Sequence, residues 1–450
     1  MKILTIGSGG REHAIVWRLS QDPEQHELFA APGNPGMPAK CVNIGVEDID
    51  GIVQWCKENN PDMVVVGPEA PLVKGLVDAL DSQKIAVFGP IAAGARMEGS
   101  KRFAKEVMAA AGVPTGAAKT FTEPNAAKAY AAELGAPVVV KADGLAAGKG
   151  VVVAMTLEEA NAAIDDMLVA NKFGSAGAEV LIEEFLDGEE CSILAMVDGE
   201  NAVLLPSSQD HKRVFDGDKG PNTGGMGAYS PAPVVTDDML PEIKEKIILP
   251  VVRELKKRGI TYRGILYAGL MIGQDRSALG QDKAGNAAVI CKAKIPSSGS
   301  RINVVEFNAR FGDPETEAVL PRLGGSFAMA LYHAATGCLK DEDIVVKPEV
   351  AATVICASKG YPGSYERGKV ISGLTTRGAL GNRPLPTMVF HCGTKQVGED
   401  IVTNGGRVLS VTGMGGTLRE AVDNAYARVN EISFDGMFFR KDIAHRAFNR

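Results

Sequence analysis

The stretch KADGLAAGKGVVV, residues 141–153, has three glycines, two lysines and an aspartate between two apolar runs. Glycine with lysine suggests a cradle for phosphate, and its flanks decide which kind. A Walker A loop needs GxxxxGK followed by Ser or Thr, between a strand and a helix. Here Gly144 and Gly148 are separated by three residues, and Lys149 is followed by Gly150. PVVVKA lies before the glycines and GVVVA after them, and β-branched runs of this kind favour strands. The stretch therefore reads as a hairpin whose glycine-rich tip can bring backbone N–H groups over an anion. Lys141 ends the first strand as a point charge for a phosphate oxygen. An ordinary exposed hairpin turn needs about two to five residues and a single glycine, so this composition speaks for a flap.

The surroundings read as an α/β multidomain chain. Residues 1–119 alternate strand and helix (KILTIG, REHAIVWRLSQD, LFAAPG, DGIVQWCKENN, MVVVGP, PLVKGLVDALDSQ, IAVFGP, EGSKRFAKEVMAAAG), the pattern of a parallel sheet with helices on its faces. Residues 120–191 form a compact α+β segment that holds the hairpin and a helix opened by Thr156 and Glu159 at capping-box spacing. Residues 192–347 form a central α+β domain, and residues 348–450 a small C-terminal β-rich α+β domain. A single helix is expected over EIKEKIILPVVRELKKRG, residues 242–259.

Composition narrows the function classes. The chain has 450 residues and a net charge of −7, unlike the basic domains that bind nucleic acid. Its N-terminus, MKILTIGSGG, does not read as a signal peptide, and there is no apolar run of about 18 residues. The seven cysteines are scattered without a CxxC pair, as expected of thiols in a reducing cytoplasm.

Three further stretches carry chemistry. In IGSGGREHAI, residues 6–15, strand, glycines and helix make the geometry that aims N–H groups at an anion. A dinucleotide fingerprint needs GxGxxG, but Glu12 stands at the last position. A nicotinamide site is thus disfavoured, whereas a smaller phosphate held by Gly9, Gly10 and Arg11 remains open, as does a turn without a ligand. In VVEFNARFGDPETE, residues 304–317, Glu306 and Asn308 share one face of a strand, and this oxygen pair suits Mg²⁺. Arg310 continues that face, and Asp313 follows in a turn; an exposed polar edge strand has the same alternation. EEFLDGEECS, residues 183–192, reads as a solvated edge or as a hinge between lobes, with backbone for an adenine and a carboxylate for a ribose.

Taken with GPEAPLVKGLVDAL, EGSKRFAKEVM, HKRVFDGDKGPNTGGMGAYSP, YRGILYAGLM and GGRVLSVTGMG, these stretches resemble the ATP-grasp ligases, and among them the phosphoribosylamine–glycine ligase family. GPNTGGMGAYSP and RFGDPE carry most of the specificity, and the resemblance runs from Gly7 to Gly415. It implies a pre-ATP-grasp N-terminal domain followed by ATP-grasp lid and central domains. It also implies the reaction: ATP phosphorylates glycine, and 5-phosphoribosylamine attacks the glycyl phosphate to give glycinamide ribonucleotide, ADP and phosphate. Another ATP-grasp carboxylate–amine ligase is the alternative.

The resemblance implies roles as well. Lys105 and Lys141 would hold the ATP phosphates, and Gly144, Gly148, Lys149 and Gly150 would form the flap. Glu183, Phe185 and Leu186 would line the adenine pocket, with Glu190 at the ribose. Glu306 and Asn308 would hold Mg²⁺, or Mn²⁺ in its place. Arg310, Lys141 and Asp313 would be catalytic. Gly9, Gly10, Arg11, Asn222, Gly224 and Gly225 would bind glycine and phosphoribosylamine, with Asp210, His211 and Arg213 ordering that pocket. The implied protein is a cytoplasmic monomer with small-molecule substrates, no nucleic acid and no membrane. Two departures from the pattern stand out. LYAGLMI lacks the acidic residue that often holds a second metal, and residues 274–300 replace a short turn.

Overall fold

The computed structural model describes residues 1–144, 150–170, 178–273, 301–374, 379–380, 383–384 and 386–450. The flap residues Gly148 and Lys149 and the insertion 274–300 lie outside them.

The chain opens with a parallel sheet of five strands, in the order Lys40–Cys41, Glu27–Pro32, Lys2–Gly7, Met63–Val66 and Ala86–Phe88. Its strands are nearly all apolar because both faces are covered. The helix Gly10–Ser20 follows the first strand directly. Glu12 explains why no dinucleotide fingerprint is present: its Oε2 accepts from Gly9 N at 2.8 Å, so the side chain caps its own helix. A Cβ on Gly7 would stand 2.1 Å from Glu12 Cγ, so the carboxylate fills the space above the turn.

The glycine-rich stretch is a hairpin, as its flanks require. Val138–Ala142 pairs antiparallel with Val151–Ala154, in a four-stranded sheet ordered Ala118–Phe121, Val180–Glu184, Val138–Ala142 and Val151–Ala154. The helices Pro124–Leu134 and Leu157–Leu168 pack against each other over this sheet. Thr156 caps the second of them, its side chain accepting from Glu159 N.

The central antiparallel sheet runs Ala202–Leu204, Glu189–Asp198, Arg263–Ile272 and Ile302–Asn308. It is buried on both faces. Cys191, Ile193, Ala195 and Val197 face the core that contains the helices Lys101–Ala111 and Leu249–Lys257, and Leu194 and Met196 face the helix Phe327–Thr336. A C-terminal sheet runs Gln209–Asp210, Gly227–Ser230, Val350–Ser358, Arg407–Gly415 and Thr387–His391, covered by the helix Leu418–Val429. Its first two strands come from within the 192–347 stretch, so the C-terminal sheet grows out of the glycine-rich segment.

Three expected helices differ in detail. PLVKGLVDALDSQ breaks into Glu69–Val73 and Leu76–Asp81 at Gly75, whose φ of 86° is left-handed. EGSKRFAKEVMAAAG breaks at Ser100, which is extended and caps Lys101–Ala111. The helix expected over residues 242–259 runs through a π turn, Lys244–Ile248, immediately before Pro250. A π turn spares the carbonyl that the proline ring would otherwise strike.

Candidate active site

Three sheets and the loops between them enclose a cleft of about 370 Å³. Its floor is the strand Ile302–Asn308, where alternation brings Glu306 and Asn308 to one face 3.4 Å apart (Asn308 Nδ2 to Glu306 Oε1). Gly269 opposite leaves room for Glu306, since a Cβ there would stand 3.3 Å from Glu306 Cγ. Burial works against the Glu306 charge, but Lys212, Lys141 and Lys101 outweigh it and hold the carboxyl below its usual range.

The lid wall supplies cations. Lys141 Nζ lies 2.5 Å from Glu183 Oε2 and 3.1 Å from Val305 O. Lys105 Nζ pairs with Glu183 Oε1 and donates to Thr115 Oγ1 at 2.6 Å. Glu183 is thus a buried counterion to both lysines; its burial disfavours charge, but the two ammonium groups keep its carboxyl below the usual range. Asp143, inside the opening motif, accepts from Ser100 Oγ at 3.0 Å and Arg102 N at 2.7 Å. It therefore fastens the hairpin to the N-terminus of the helix that carries Lys101 and Lys105. Lys101 Nζ donates to Gly144 O at 3.2 Å.

Across the cleft, Arg310 Nη2 pairs with Glu98 Oε1 at 3.0 Å, and its Nε lies 3.5 Å from Glu69 Oε2. Burial opposes this guanidinium, and Glu98 and Glu69 more than restore it, raising its pKa. Arg11 pairs with Glu12 at 2.5 Å and lies 4.0 Å from Glu69. Near the hinge, Lys212 Nζ bridges Glu190 Oε1 at 2.5 Å and Asp210 Oδ1 at 3.2 Å. Glu315 Oε1 accepts from Tyr267 OH at 2.9 Å, bringing a carboxylate from the start of the helix Glu315–Val319 to the strand that lacks one.

A second cavity, of about 710 Å³, opens between the N-terminal turn and the C-terminal sheet. Gly9 and Gly10 line it, with Asn34, Cys392 and Thr394. Of the residues named from sequence, Lys105, Lys141, Gly144, Gly150, Arg11, Asp210, Gly224, Glu306, Asn308, Arg310 and Asp313 line the first cleft. Glu183 lies beneath it. Phe185 and Leu186 join the strands Val180–Glu184 and Glu189–Asp198 and are not in the cleft's lining. Gly225 stands against Pro314, behind Gly224. Arg213 and Asn222 line a separate groove with Val151, Val152 and Val153 of the hairpin. His211 is fully buried and faces away, its Nε2 accepting from Ala444 N at 2.9 Å.

Sequence reading missed Glu69, Glu98, Lys101, Lys212, Glu315 and Arg407, all of which line the cleft. A signal existed for Lys212. Asp210 and Lys212 are two apart and share a face, while His211 points to the other.

Family models described as the N, ATP-grasp (A) and C domains of phosphoribosylglycinamide synthetase match residues 1–98, 99–281 and 351–446. The phosphoribosylamine–glycine ligase of Vibrio cholerae serotype O1 is 48% identical over 454 residues, covering 100% of this chain and 99% of its own. That of Escherichia coli K12 is 48% identical over 455 residues, with the same coverage. The crystal structure of the Thermotoga maritima phosphoribosylamine–glycine ligase superposes with a TM-score of 0.80 at 31% identity, over 98% of this chain and 100% of that one. The biotin carboxylase domain of Hydrogenobacter thermophilus 2-oxoglutarate carboxylase shares the fold, with a TM-score of 0.69 at 17% identity over 97% of this chain and 91% of that one.

Proposed function

Because the chain belongs to the phosphoribosylglycinamide synthetase family, we propose that it joins glycine to 5-phospho-D-ribosylamine using ATP, forming glycinamide ribonucleotide, ADP and phosphate. The observation that carries this reading is the convergence of opposite charges in one cleft that abuts a second cavity. Lysines 101, 105 and 141 stand on the lid side, Glu306 and Asn308 on the floor, and Arg310 opposite.

In this reading the glycine carboxylate attacks the γ-phosphorus of ATP, and the bond to ADP breaks. Lys141 and Lys105 turn from Glu183 toward the phosphates, and Arg310 steadies the transferring group. No protein nucleophile is needed, because positioning and charge neutralisation carry phosphoryl transfer. The ribosylamine nitrogen then attacks the carbonyl carbon of glycyl phosphate, and phosphate leaves. The second cavity, bordered by Gly9 and Gly10, takes the ribosylamine; Asp210, Asp313 and Gly224 border the glycine. Glu190 at the hinge takes the ribose of ATP, exchanging Lys212 for hydroxyl groups.

Glu306 and Asn308 are hard oxygen donors side by side and fit Mg²⁺, or Mn²⁺ in its place. Such an ion neutralises phosphate charge when bound. No helix among the described residues is long and apolar enough to cross a membrane. We read the protein as a cytoplasmic monomer that does not bind nucleic acid, divided at 119/120, 191/192 and 347/348.

The test is ADP release measured with glycine alone, ribosylamine alone, and both together. Rapid release only with both supports the reaction. Equal release with a different carboxylate or amine favours another ATP-grasp ligase.

A further inference from the structure

Among the described residues, the linings of the cleft and the second cavity share only Asp313 and Arg407. These two side chains form an ion pair, Arg407 Nη1 to Asp313 Oδ1 at 3.0 Å. Nη1 also donates to Gly224 O at 2.7 Å and lies 3.3 Å from Asp313 O. Arg407 begins the strand Arg407–Gly415. It is thus a C-terminal residue reaching into the passage between the two cavities, where it ties the RFGDPE turn to the glycine-rich segment. Tyr361 grips the same glycine from the other side, its hydroxyl accepting from Gly224 N at 3.2 Å.

Glu317 lies beneath the passage, fully buried, with neither carboxyl oxygen hydrogen-bonded. It packs behind Gly10 and Cys392, both of which line the second cavity. Burial, followed by the charge of Asp313, pushes the Glu317 carboxyl well above the usual carboxylate range, against the pull of Arg407 and Arg11. Of the two carboxyls, Asp313 is the one that lines both cavities, with Arg407 as its ion-pair partner.

We infer that Arg407 is a positioning residue for the second half-reaction, holding the Asp313 carboxylate at the passage as proton acceptor for the incoming amine. The inference rests on the ligase reading above. The nitrogen lone pair forms the bond to the glycyl carbonyl carbon, and the C–O bond to phosphate breaks with its electron pair on the phosphate oxygen. One N–H proton passes to Asp313 and from there to the departing phosphate. The first half-reaction has no such proton to move, so it depends less on this pair.

Hydroxylamine separates the two halves. It is small and nucleophilic, and it traps glycyl phosphate as glycine hydroxamate without needing the positioned base. In Arg407→Met, amide formation with phosphoribosylamine should fall about 10²-fold, the scale of a displaced general base. ATP- and glycine-dependent hydroxamate formation at saturating glycine should fall far less, and the change in the ratio of amide to hydroxamate carries the test. Arg407→Lys keeps a cation for Asp313 but cannot also span to Gly224 O in the same geometry. Its amide formation should fall about tenfold, again with a smaller loss of hydroxamate at saturating glycine, and it serves as the test should Arg407→Met fail to fold. Equal loss of both products in the folded variants would overturn the inference, as would unchanged amide formation. Absence of amide formation in the unmodified enzyme would instead reject the ligase reading.

Discussion

Lys141 Nζ and Glu183 Oε2 stand 2.5 Å apart with both side chains buried, and Glu183 also neutralises Lys105. A buried pair broken from one side leaves an uncompensated charge, which typically costs about 3–5 kcal/mol. Glu183→Gln should therefore lower unfolding free energy by about that amount, read from urea denaturation. Lys141→Met leaves Glu183 with Lys105. It should mainly lower turnover, while nucleotide still binds, and single-turnover ADP formation beside ATP titration checks this. Equal damage to nucleotide binding and turnover in Lys141→Met would argue against a role in phosphate transfer.

Glu306→Ala should reduce turnover by about 10²–10³, the usual effect of removing one electrostatic contributor. It also removes the anion facing Lys212, Lys141 and Lys101. Those three cations then repel one another in the absence of nucleotide, so the variant should gain more thermal stability from added ATP than the unmodified enzyme does. Melting curves with and without ATP make the comparison. Near-normal turnover at saturating Mg²⁺ would remove Glu306 from the metal site.

Asp143→Ala should cost about 1 kcal/mol by leaving Arg102 N, in the first turn of the helix Lys101–Ala111, without its acceptor. Its larger effect should be on KM for ATP, because the same carboxylate anchors the hairpin beside Lys101. Asp143→Asn keeps an acceptor and should recover most of the loss. An unchanged KM in Asp143→Ala would detach the hairpin's anchorage from nucleotide binding.

Two buried histidines predict an acid limit to stability. Burial and the neighbouring His391 push His13 down to about 3, and burial pushes His391 down to about 4. His13 Nδ1 accepts from His391 N at 2.9 Å, a bond that requires the bare ring nitrogen. Above the ordinary value of about 6.5, neither folded nor unfolded chain protonates these rings, and they add no pH dependence. Below it the unfolded chain takes up protons that the folded chain refuses. Stability should then fall with falling pH, by up to about 1.4 kcal/mol per pH unit for each ring, until the folded values are reached. Urea midpoints at pH 7, 6 and 5 measure the slope, and His13→Gln should flatten it.

Gly10→Ala should disturb the second cavity in particular. Its Cβ would stand 2.5 Å from Glu317 Oε1 and 2.6 Å from Cys392 Sγ. The turn must shift, so KM for the ribosylamine should rise well before KM for ATP. A larger rise for ATP would move the ribosylamine elsewhere.

The hairpin was legible because β-branched runs and glycines leave few alternatives, and Glu306 with Asn308 because strand alternation is local. Alternation also held the answer for Lys212, although His211 and Arg213 on the opposite face carry the more conspicuous side chains. Glu69, Glu98 and Arg407 were not legible. Each enters the cleft through tertiary packing of segments far apart in the chain, and neither periodicity nor spacing says which distant carboxylate will meet Arg310. Glu183 shows the same limit: its position at the hinge could be read, but its pairing with two lysines depends on Thr115 and Val304 bringing the helix end against the sheet.

His211 receives its hydrogen bond from Ala444, and the same region is clamped by Asp218 pairing with Arg440 and Arg446. The short strand Gln209–Asp210 and the residues just after it, which bring Asp210 and Lys212 to the cleft, are therefore held in place by residues more than two hundred positions later. The cleft residues precede this clamp in the chain, so the pair at the hinge lacks its brace until the far segment is in place. A polypeptide halted before residue 440 would keep every described cleft residue and still lack the clamp beside two of them.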